Sequence, residues 1–164
     1  MFTIDIKADV KNPDAIKKLQ KRAKEISRKT VAVGFPKGKL NAPHYEGEHG
    51  KPGPSIIDVA IWNNFGIGVP KRDFMTPSTR KWKEFCTELI NSMKMQILEG
   101  KINIDDVLNL AGQKGADIIS EEIIKLRTPP NSPYTIEKKK SSNPLVDTGD
   151  MSKAPMHEIR EVAE

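Results

Sequence analysis

The chain has 164 residues and a hydrophobic content of 37%, which suits one domain with a modest core and excludes two full-sized domains. Its net charge of +5 is uneven, because residues 1–54 hold 12 lysines and arginines against 6 aspartates and glutamates. No apolar run reaches the length of a membrane span or a signal-peptide core, and the one cysteine, Cys86, excludes an internal disulfide, which favours a reducing cytosol.

The first third of the chain predicts a strand, a helix and a second strand. Met1–Val10 alternates apolar and polar side chains, which is the pattern of a strand with one buried face. A lysine-rich amphipathic helix is predicted over about Pro13–Ser27, and the β-branched run Thr30–Gly34 predicts a second strand that returns beside the first. Residues 35–54 hold several glycines and prolines and predict a long surface loop.

Two helices are predicted next. Ser55 and Asp58 form a capping-box pattern before a short, largely buried helix that ends at Gly66. Thr76, followed by a proline, predicts the start of a long helix that continues to Gly100. The apolar stripe of that helix comprises Trp82, Phe85, Cys86, Leu89, Ile90, Met93 and Ile97.

A second long helix is predicted from Asn103 to shortly before Pro129. Gly112 and Gly115 interrupt its apolar side at a cost of about 1 kcal/mol each, which indicates either the close approach of another backbone or a kink. The tail is turn-rich from Pro129 until Met156–Val162, which can pair as a last strand. The pattern predicts one α+β domain over residues 1–164, with a small antiparallel sheet covered by two longer helices and long surface loops.

Residues capable of catalysis or metal binding form no recognisable arrangement. His44 and His49, with Glu46 and Glu48 between them, offer nitrogen and oxygen ligands for zinc or nickel, but their spacing matches no known metal motif. A hydrated loop tip is therefore the preferred interpretation. Cys86 lies on an apolar stripe and is interpreted as a packing residue. We predict no catalytic residue, no metal and no cofactor.

Three stretches stand out for their order and spacing. The first, Asp58–Gly66, ends in Asn-Asn-Phe-Gly, and the second, Val69–Pro77, contains Pro-Lys-Arg-Asp-Phe-Met-Thr-Pro. The third begins at Thr128 with Pro-Pro-Asn-Ser-Pro-Tyr-Thr-Ile and continues from Asn143 as Pro-Leu-Val-Asp-Thr-Gly-Asp-Met. Together with the Val-Ala-Val-Gly strand, they resemble the bacteriophage virion-morphogenesis family, whose members complete the tail and join it to the head.

The residues that carry this resemblance are Asn63, Phe65, Gly66, Pro70, Arg72, Phe74, Pro129, Pro130, Pro144, Asp147, Thr148 and Gly149. We interpret the third stretch as a structural segment that serves packing and not catalysis. Its two leading prolines end the preceding helix, Pro144 fixes extended backbone, and the Asp-Thr-Gly run forms a turn that caps the segment after it.

The resemblance implies a non-enzymatic virion protein that assembles as a ring, possibly of six copies, at the head-tail junction. Its implied partners are copies of itself, the tail tube and a head-closure or connector protein, with DNA in the ring lumen as a further candidate and no membrane. Assembly would take place in the cytoplasm of a bacterial host. Tail terminator, tail-completion factor and head-closure layer remain alternatives within this interpretation.

Two functions of other classes are kept as alternatives. A small nucleic-acid-binding module would use the basic helix, whose cations are Lys17, Lys18, Lys21, Arg22 and Lys24. A metal-dependent enzyme would be centred on His44 and His49. The basic helix carries no aromatic residue for base stacking, so a solvated helix face is the preferred interpretation. The basic helix and the loop around His44, Glu46 and His49 are the expected interaction surfaces.

Overall fold

Residues 13–36 and 53–162 are described by the computed structural model, and they contain six helices and a two-stranded antiparallel sheet. The helices are α1 (Pro13–Ser27), α2 (Ile56–Phe65), α3 (Met75–Glu99), α4 (Ile104–Lys125), α5 (Pro133–Lys139) and α6 (Asp150–Lys153), and the strands are β1 (Lys29–Gly34) and β2 (Met156–Glu161). The predicted α+β class is confirmed. The predicted strand Met1–Val10, and His44, Glu46 and His49, lie outside the described residues.

The sheet pairs the two ends of the described chain. Lys29 lies opposite Glu161 and Gly34 lies opposite Met156 in an antiparallel register. The last strand is therefore where the sequence predicts it, and its partner is β1. One face of the sheet rests on α4, and Val31 of β1 also packs against the buried side chains between α3 and α4. The small sheet therefore packs against helices, as expected from the sequence.

Two clusters of buried side chains make up the core. The first joins α2, α4, α6 and the segments that lead into α3 and α6, and consists of Ala60, Phe74, Ile119, Ile123, Leu145 and Met151. The second lies between α3 and α4 and consists of Leu89, Ile97, Val107 and Ala111. Ile26 of α1 and Val31 of β1 pack against this second cluster.

The two glycines within α4 are explained by close contacts. Gly112 faces His157 of β2, and a Cβ atom on Gly112 would lie 2.5 Å from the imidazole Cγ. Gly115 faces Trp82 and Val33, whose nearest atoms would lie 2.9 and 3.0 Å from an added Cβ. Side chains approach α4 here, where the sequence indicated either a backbone or a kink. The missing Cβ atoms let α4 sit close to β1, β2 and α3 at once.

The long helices differ from prediction in three details. α3 begins at Met75 with Phe74 as its N-cap, one residue earlier than Thr76, and the Asp73 carboxylate accepts a hydrogen bond from the Thr76 N–H at 3.0 Å. Ile90 is 55% exposed and is not part of a buried stripe. α4 ends at Lys125, because Leu126 adopts extended backbone. The expectation that Pro129 and Pro130 end this helix is therefore wrong.

Two short helices in the turn-rich tail were not predicted. Ser132 caps α5 by accepting a hydrogen bond from the Thr135 N–H at 3.2 Å, and Pro133 occupies the first turn. Both are ordinary helix-start residues. The sequence signal for α5 is weak, because prolines flank these residues and no apolar stripe follows. α6 spans only Asp150–Lys153, which is too short for helical periodicity to appear in the sequence.

The predicted capping box of α2 is confirmed. The Ser55 hydroxyl oxygen accepts from the Asp58 N–H at 3.2 Å, and the Asp58 carboxylate accepts from the Ser55 N–H at 3.0 Å. The Ser55 hydroxyl and backbone N–H both donate to this carboxylate and lower the pKa of Asp58. A lowered pKa means that the carboxylate's contribution to stability is present above about pH 4 and is lost as the pH falls below it.

We expect Ser55→Ala to lower the free energy of unfolding by about 1 kcal/mol at pH 7, because the α2 cap loses its hydroxyl. The difference from wild type should be smaller at pH 3, because part of it comes from the ionised Asp58 carboxylate, whose contribution falls as the pH drops below about 4. Urea unfolding at both pH values measures this. Thr87→Ala, on the exposed surface of α3, should change stability by less than about 0.5 kcal/mol. An equal effect of Ser55→Ala at both pH values would contradict the expectation.

Candidate functional site

The three stretches that carry the family resemblance meet at the side chain of Arg72. This arginine lies in the turn between α2 and α3 and is 6% exposed. Its guanidinium donates to the side-chain oxygen of Asn63 at 2.8 Å, to the carbonyl oxygens of Pro129 and Pro130 at 3.1 and 3.3 Å, and to the side-chain oxygen of Asn131 at 3.1 Å. One side chain therefore joins residues that are far apart in sequence.

The turn that presents Arg72 is fixed by backbone geometry. Gly66 ends α2 in the left-handed conformation with a φ of 77°, and the N–H groups of Gly66 and Ile67 donate to the Trp62 carbonyl at 2.8 and 2.9 Å. The Arg72 N–H then donates to the Asn63 carbonyl at 2.7 Å. The chain therefore folds back along α2, which places the guanidinium beside the Asn63 amide.

The electrostatics of Arg72 indicate a scaffolding role. The four acceptors that the described residues offer it are neutral oxygens, and burial lowers the pKa of Arg72 below its ordinary value. A guanidinium still carries its charge at neutral pH after such a shift. Its planar fork matches several acceptors at once, which a lysine cannot do. Arg72 therefore holds backbone in place, and its donors are committed to the protein itself.

Arg72 and its four partners, Asn63, Pro129, Pro130 and Asn131, are here called the Arg72 cluster, and a second cation lies near it. Lys139 of α5 is half-buried, and its ammonium donates to the Pro144 carbonyl at 3.5 Å. Burial lowers the pKa of Lys139, Asp147 raises it and Arg72 lowers it. Asp147 is thus a counter-charge for this corner of the fold. The flanking residues Lys138 and Lys140 are exposed, whereas Lys139 packs against the third stretch.

Two asparagines fix the third stretch onto the body of the domain. The Asn131 amide donates to the Asn143 carbonyl at 3.3 Å, and the Asn143 amide donates to the Ile124 carbonyl at the end of α4 at 2.9 Å. The Asn143 side-chain oxygen accepts from the Leu145 N–H at 3.1 Å. Leu145 is thereby placed in the first core cluster, where Phe74 of the second stretch is 1% exposed.

The Asp-Thr-Gly run forms a turn before α6. The Thr148 hydroxyl oxygen accepts from the Asp150 N–H at 3.4 Å, and the two side chains also share a hydrogen bond. Gly149 has a φ of 87°, and its carbonyl accepts from the Ser152 hydroxyl at 2.8 Å. The run therefore holds the start of α6, and Gly149 occupies a conformation that residues with a side chain seldom adopt.

We expect Gly149→Val to lower the free energy of unfolding by about 2 kcal/mol, because a β-branched residue is strained at positive φ. Among the described residues no clash adds to this, since a Cβ on Gly149 would meet the Lys153 side chain at an ordinary contact distance of 3.9 Å. Gly149→Asn should cost about half as much, because asparagine tolerates this conformation better. Thermal unfolding measures both. Unchanged stability with a loss of assembly would instead place Gly149 in an interface.

The structure distributes the resemblance residues between the interior and the surface. The buried or half-buried members are Asn63, Gly66, Arg72, Phe74, Pro129, Pro144 and Gly149, and the exposed members are Phe65, Pro70, Pro130, Asp147 and Thr148. Asn63, Arg72 and Pro129 belong to the hydrogen-bonded Arg72 cluster, as does the exposed Pro130, and Phe74 lies in the first core cluster. Among the other exposed members, Phe65 is the last residue of α2, Pro70 lies in the turn between α2 and α3, and Asp147 and Thr148 precede α6.

The sequence missed an exposed apolar surface beside the Arg72 turn, here called the α2 patch. Its members, with their exposed fractions, are Ile61 (42%), Trp62 (39%), Phe65 (66%), Ile67 (54%) and Val69 (37%). The expectation of a largely buried helix is wrong for α2, because only Ala60 and Asn64 are buried within it. The apolar character of α2 predicts burial, but this face of the helix is exposed.

The predicted basic surface is present on α1. Lys17, Lys18, Lys21, Arg22 and Lys24 are all exposed. The Arg22 guanidinium lies against Gly100 at the end of α3, so this residue also serves packing. Over residues 13–36 and 53–162, no three histidine, cysteine, aspartate or glutamate side chains are grouped as metal ligands. Burial raises the pKa of the Cys86 thiol, which agrees with its interpretation as a packing residue.

Comparison with known proteins finds no matching family model, no matching curated protein and no matching solved structure. No helix within the described ranges combines the length and apolar character that a bilayer span requires.

Proposed function

We propose that this protein is a non-enzymatic structural component of the bacteriophage head-tail junction, where copies of it assemble into a ring. The observation that carries the proposal is the convergence of the three resembling stretches on Arg72. Stretches that share one buried cluster behave as a unit of fold, which supports a family relationship more strongly than three separate matches would. The committed hydrogen bonds of Arg72 favour scaffolding over catalysis.

The α2 patch supports assembly with other copies. The turn that the Arg72 cluster holds in place presents Phe65, Ile67 and Val69 to solvent. Exposed apolar residues grouped in this way mark protein interaction sites. Subunits of a ring contact each other through two different surfaces that close by rotation. We assign the α2 patch to one side of the contact between copies, and the other faces of the ring to the tail tube and a head-closure protein.

A double variant tests the assembly proposal. Phe65→Ser with Ile67→Ser should leave the unfolding midpoint almost unchanged and should abolish ring formation, seen by light scattering at rising concentration and by electron microscopy of particles. The matched control is Met95→Ser with Ile124→Ser, which removes two apolar side chains that are 59% and 48% exposed on other helices. Stable dimers in solution, together with particles that hold no ring of this protein, would overturn the proposal.

Particles that lack the protein distinguish the three roles within the junction. Free full heads beside tails of normal length would indicate a tail-completion factor. Overlong tails would indicate a terminator, and heads that lose their DNA would indicate a head-closure layer. Intact infectious particles without the protein would contradict all three roles.

Nucleic-acid binding is the second candidate function, and the exposed cations of α1 favour it. Binding through these residues should weaken with salt at a slope of about −0.9 per phosphate neutralised. The test compares Lys17, Lys18 and Lys21 changed to Gln with Lys83, Lys94 and Lys101 changed to Gln, which removes the same charge from exposed positions elsewhere. Submicromolar DNA binding at physiological salt that only the α1 variant loses would favour this candidate over the structural one.

A further inference from the structure

The outer edge of β1 carries backbone groups that lack a partner strand in the described structure. The Val162 N–H donates to the Arg28 carbonyl at 2.7 Å, which makes these two residues a hydrogen-bonded pair at the end of the antiparallel ladder. Such pairs alternate along a ladder, so the N–H and C=O groups of Lys29, Val31 and Val33 point away from β2. An edge of this kind accepts a further strand.

An open apolar groove of about 400 Å³ lies beside this edge. Its lining includes Ile26, Val31, Cys86, Leu89, Ile90 and Ile104, from α1, β1, α3 and α4. No residue of β2 lines the groove, so it lies on the side of β1 that faces away from β2. The 55% exposure of Ile90 marks the part of the α3 apolar face that the described residues leave uncovered.

We propose that residues 1–10 of the same chain fill this groove as a third strand, parallel to β1, with their apolar face on α3. The side chains of that face are Phe2, Ile4, Ile6, Ala8 and Val10. They recur at every second residue, which is the period of a strand with one buried face. In β1 the side chains of Lys29, Val31 and Val33 occupy the corresponding face, toward the helices.

The connection between the elements favours this occupant over a strand from elsewhere. Only Lys11 and Asn12 separate Val10 from α1, and only Arg28 separates α1 from β1. A strand that is joined to a second strand by one helix and short links normally lies parallel beside it, through a right-handed crossover. Because β2 already pairs with one edge of β1, the opposite, outer edge is the position that remains for residues 1–10.

The lengths are compatible with this arrangement. α1 has 15 residues and spans about 22 Å, and β1 has 6 residues and spans about 20 Å. Ten extended residues span about 33 Å, which covers the whole of β1. A helix slightly longer than β1 therefore carries the chain from one end of the strand pair back to the other.

Cys86 makes the proposal testable in the full-length chain, because it is the one native cysteine and it lines the groove. Cysteine is introduced singly at Ile4, Ile6 and Ala8 on the apolar face, and at Thr3, Asp5 and Lys7 on the polar face as matched controls. Oxidised glutathione serves as the oxidant. We expect an intrachain disulfide with Cys86 in at least one apolar-face variant and in none of the controls, read as a faster-migrating monomer on a non-reducing gel.

A second measurement uses the reactivity of Cys86 toward a thiol reagent. Changing Phe2, Ile4 and Ile6 to Ser should increase the labelling rate at least tenfold, whereas changing Thr3, Asp5 and Lys7 to Ser should leave it within twofold of wild type. Equal labelling of the two variants would overturn the proposal. Disulfides on both faces alike, no disulfide on either face, or disulfides only between chains would also overturn it, the last by assigning the groove to a neighbouring copy.

Discussion

Replacing Arg72 with methionine is expected to lower the free energy of unfolding by about 3–4 kcal/mol. The substitution leaves two asparagine oxygens and two proline carbonyls without their donor, and an unsatisfied buried polar group costs about 1–3 kcal/mol. Two gains offset part of this sum. The buried charge is removed, and water can hydrate the carbonyl oxygen of the exposed Pro130. Urea unfolding followed by circular dichroism measures the change, and the assembly of the protein should fail with it.

Two further variants separate the causes of this loss. Arg72→Lys keeps the charge but lacks the planar fork, so it should recover less than half of the lost stability. Lys71→Met removes the neighbouring cation, whose side chain is 62% exposed, and should change stability by less than about 0.5 kcal/mol. If Arg72→Met unfolds at the wild-type urea concentration, the cluster does not hold the three stretches together.

Adding one methyl group at Gly112 is expected to destabilise the protein by about 2 kcal/mol. Alanine is normally favoured over glycine inside a helix by about 1 kcal/mol. Here the added Cβ would lie 2.5 Å from the His157 Cγ and 2.7 Å from its Cβ, so α4 and β2 would have to separate. Overpacking of this kind costs about 1–3 kcal/mol, and His157 atoms closer than 3.0 Å place this case near the upper end, so about 2 kcal/mol remains after the helix preference for alanine is subtracted. Thermal unfolding of Gly112→Ala gives the size and the sign.

A double-mutant cycle shows whether His157 is the cause. His157→Ala opens space opposite Gly112, so the double variant should be more stable than the sum of the two single changes predicts, by at least about 1 kcal/mol. Gln113→Ala is the control, because Gln113 is exposed and its side chain donates to Asp117 within the same helix. A stabilising effect of Gly112→Ala would contradict the close packing of α4 against β2.

Elements with a local signal were predicted closely from the sequence. The bounds of α1 agree with Pro13–Ser27, and the capping box of α2 and the Gly66 and Gly100 ends of α2 and α3 are as expected. In each case the signal is a side chain or a glycine acting within a few residues of itself, so no knowledge of tertiary contacts is required.

Burial on particular faces was predicted less well. Ile90 and Phe65 have the same apolar character as Leu89 and Phe74, yet the first two are exposed and the last two are buried. Periodicity identifies an apolar face but does not identify what covers it. A groove or an interface therefore looks like core at the level of sequence, which explains the errors on α2 and on the stripe of α3.

The sequence identified several residues of the Arg72 cluster but not the contacts between them. The sequence singled out Asn63, Arg72, Pro129 and Pro130 through a resemblance, and they lie together in the structure. Nothing in their spacing indicates that one guanidinium joins them, because the contacts cross more than fifty residues of chain. Asn131 belongs to the same cluster, and its position directly after the two prolines was the available signal.

The pairing of β1 with β2 has a consequence for biosynthesis. Residues 29–34 are synthesised before residues 156–161. At about 5–20 residues per second, the time between the synthesis of the two strands is on the order of ten seconds. An unpaired strand is a template for aggregation while it waits. Residues 1–10 are translated before β1. Under the docking proposed above, they shield one edge of β1 on the nascent chain, so damage to this segment would lower the yield of folded protein more than its stability.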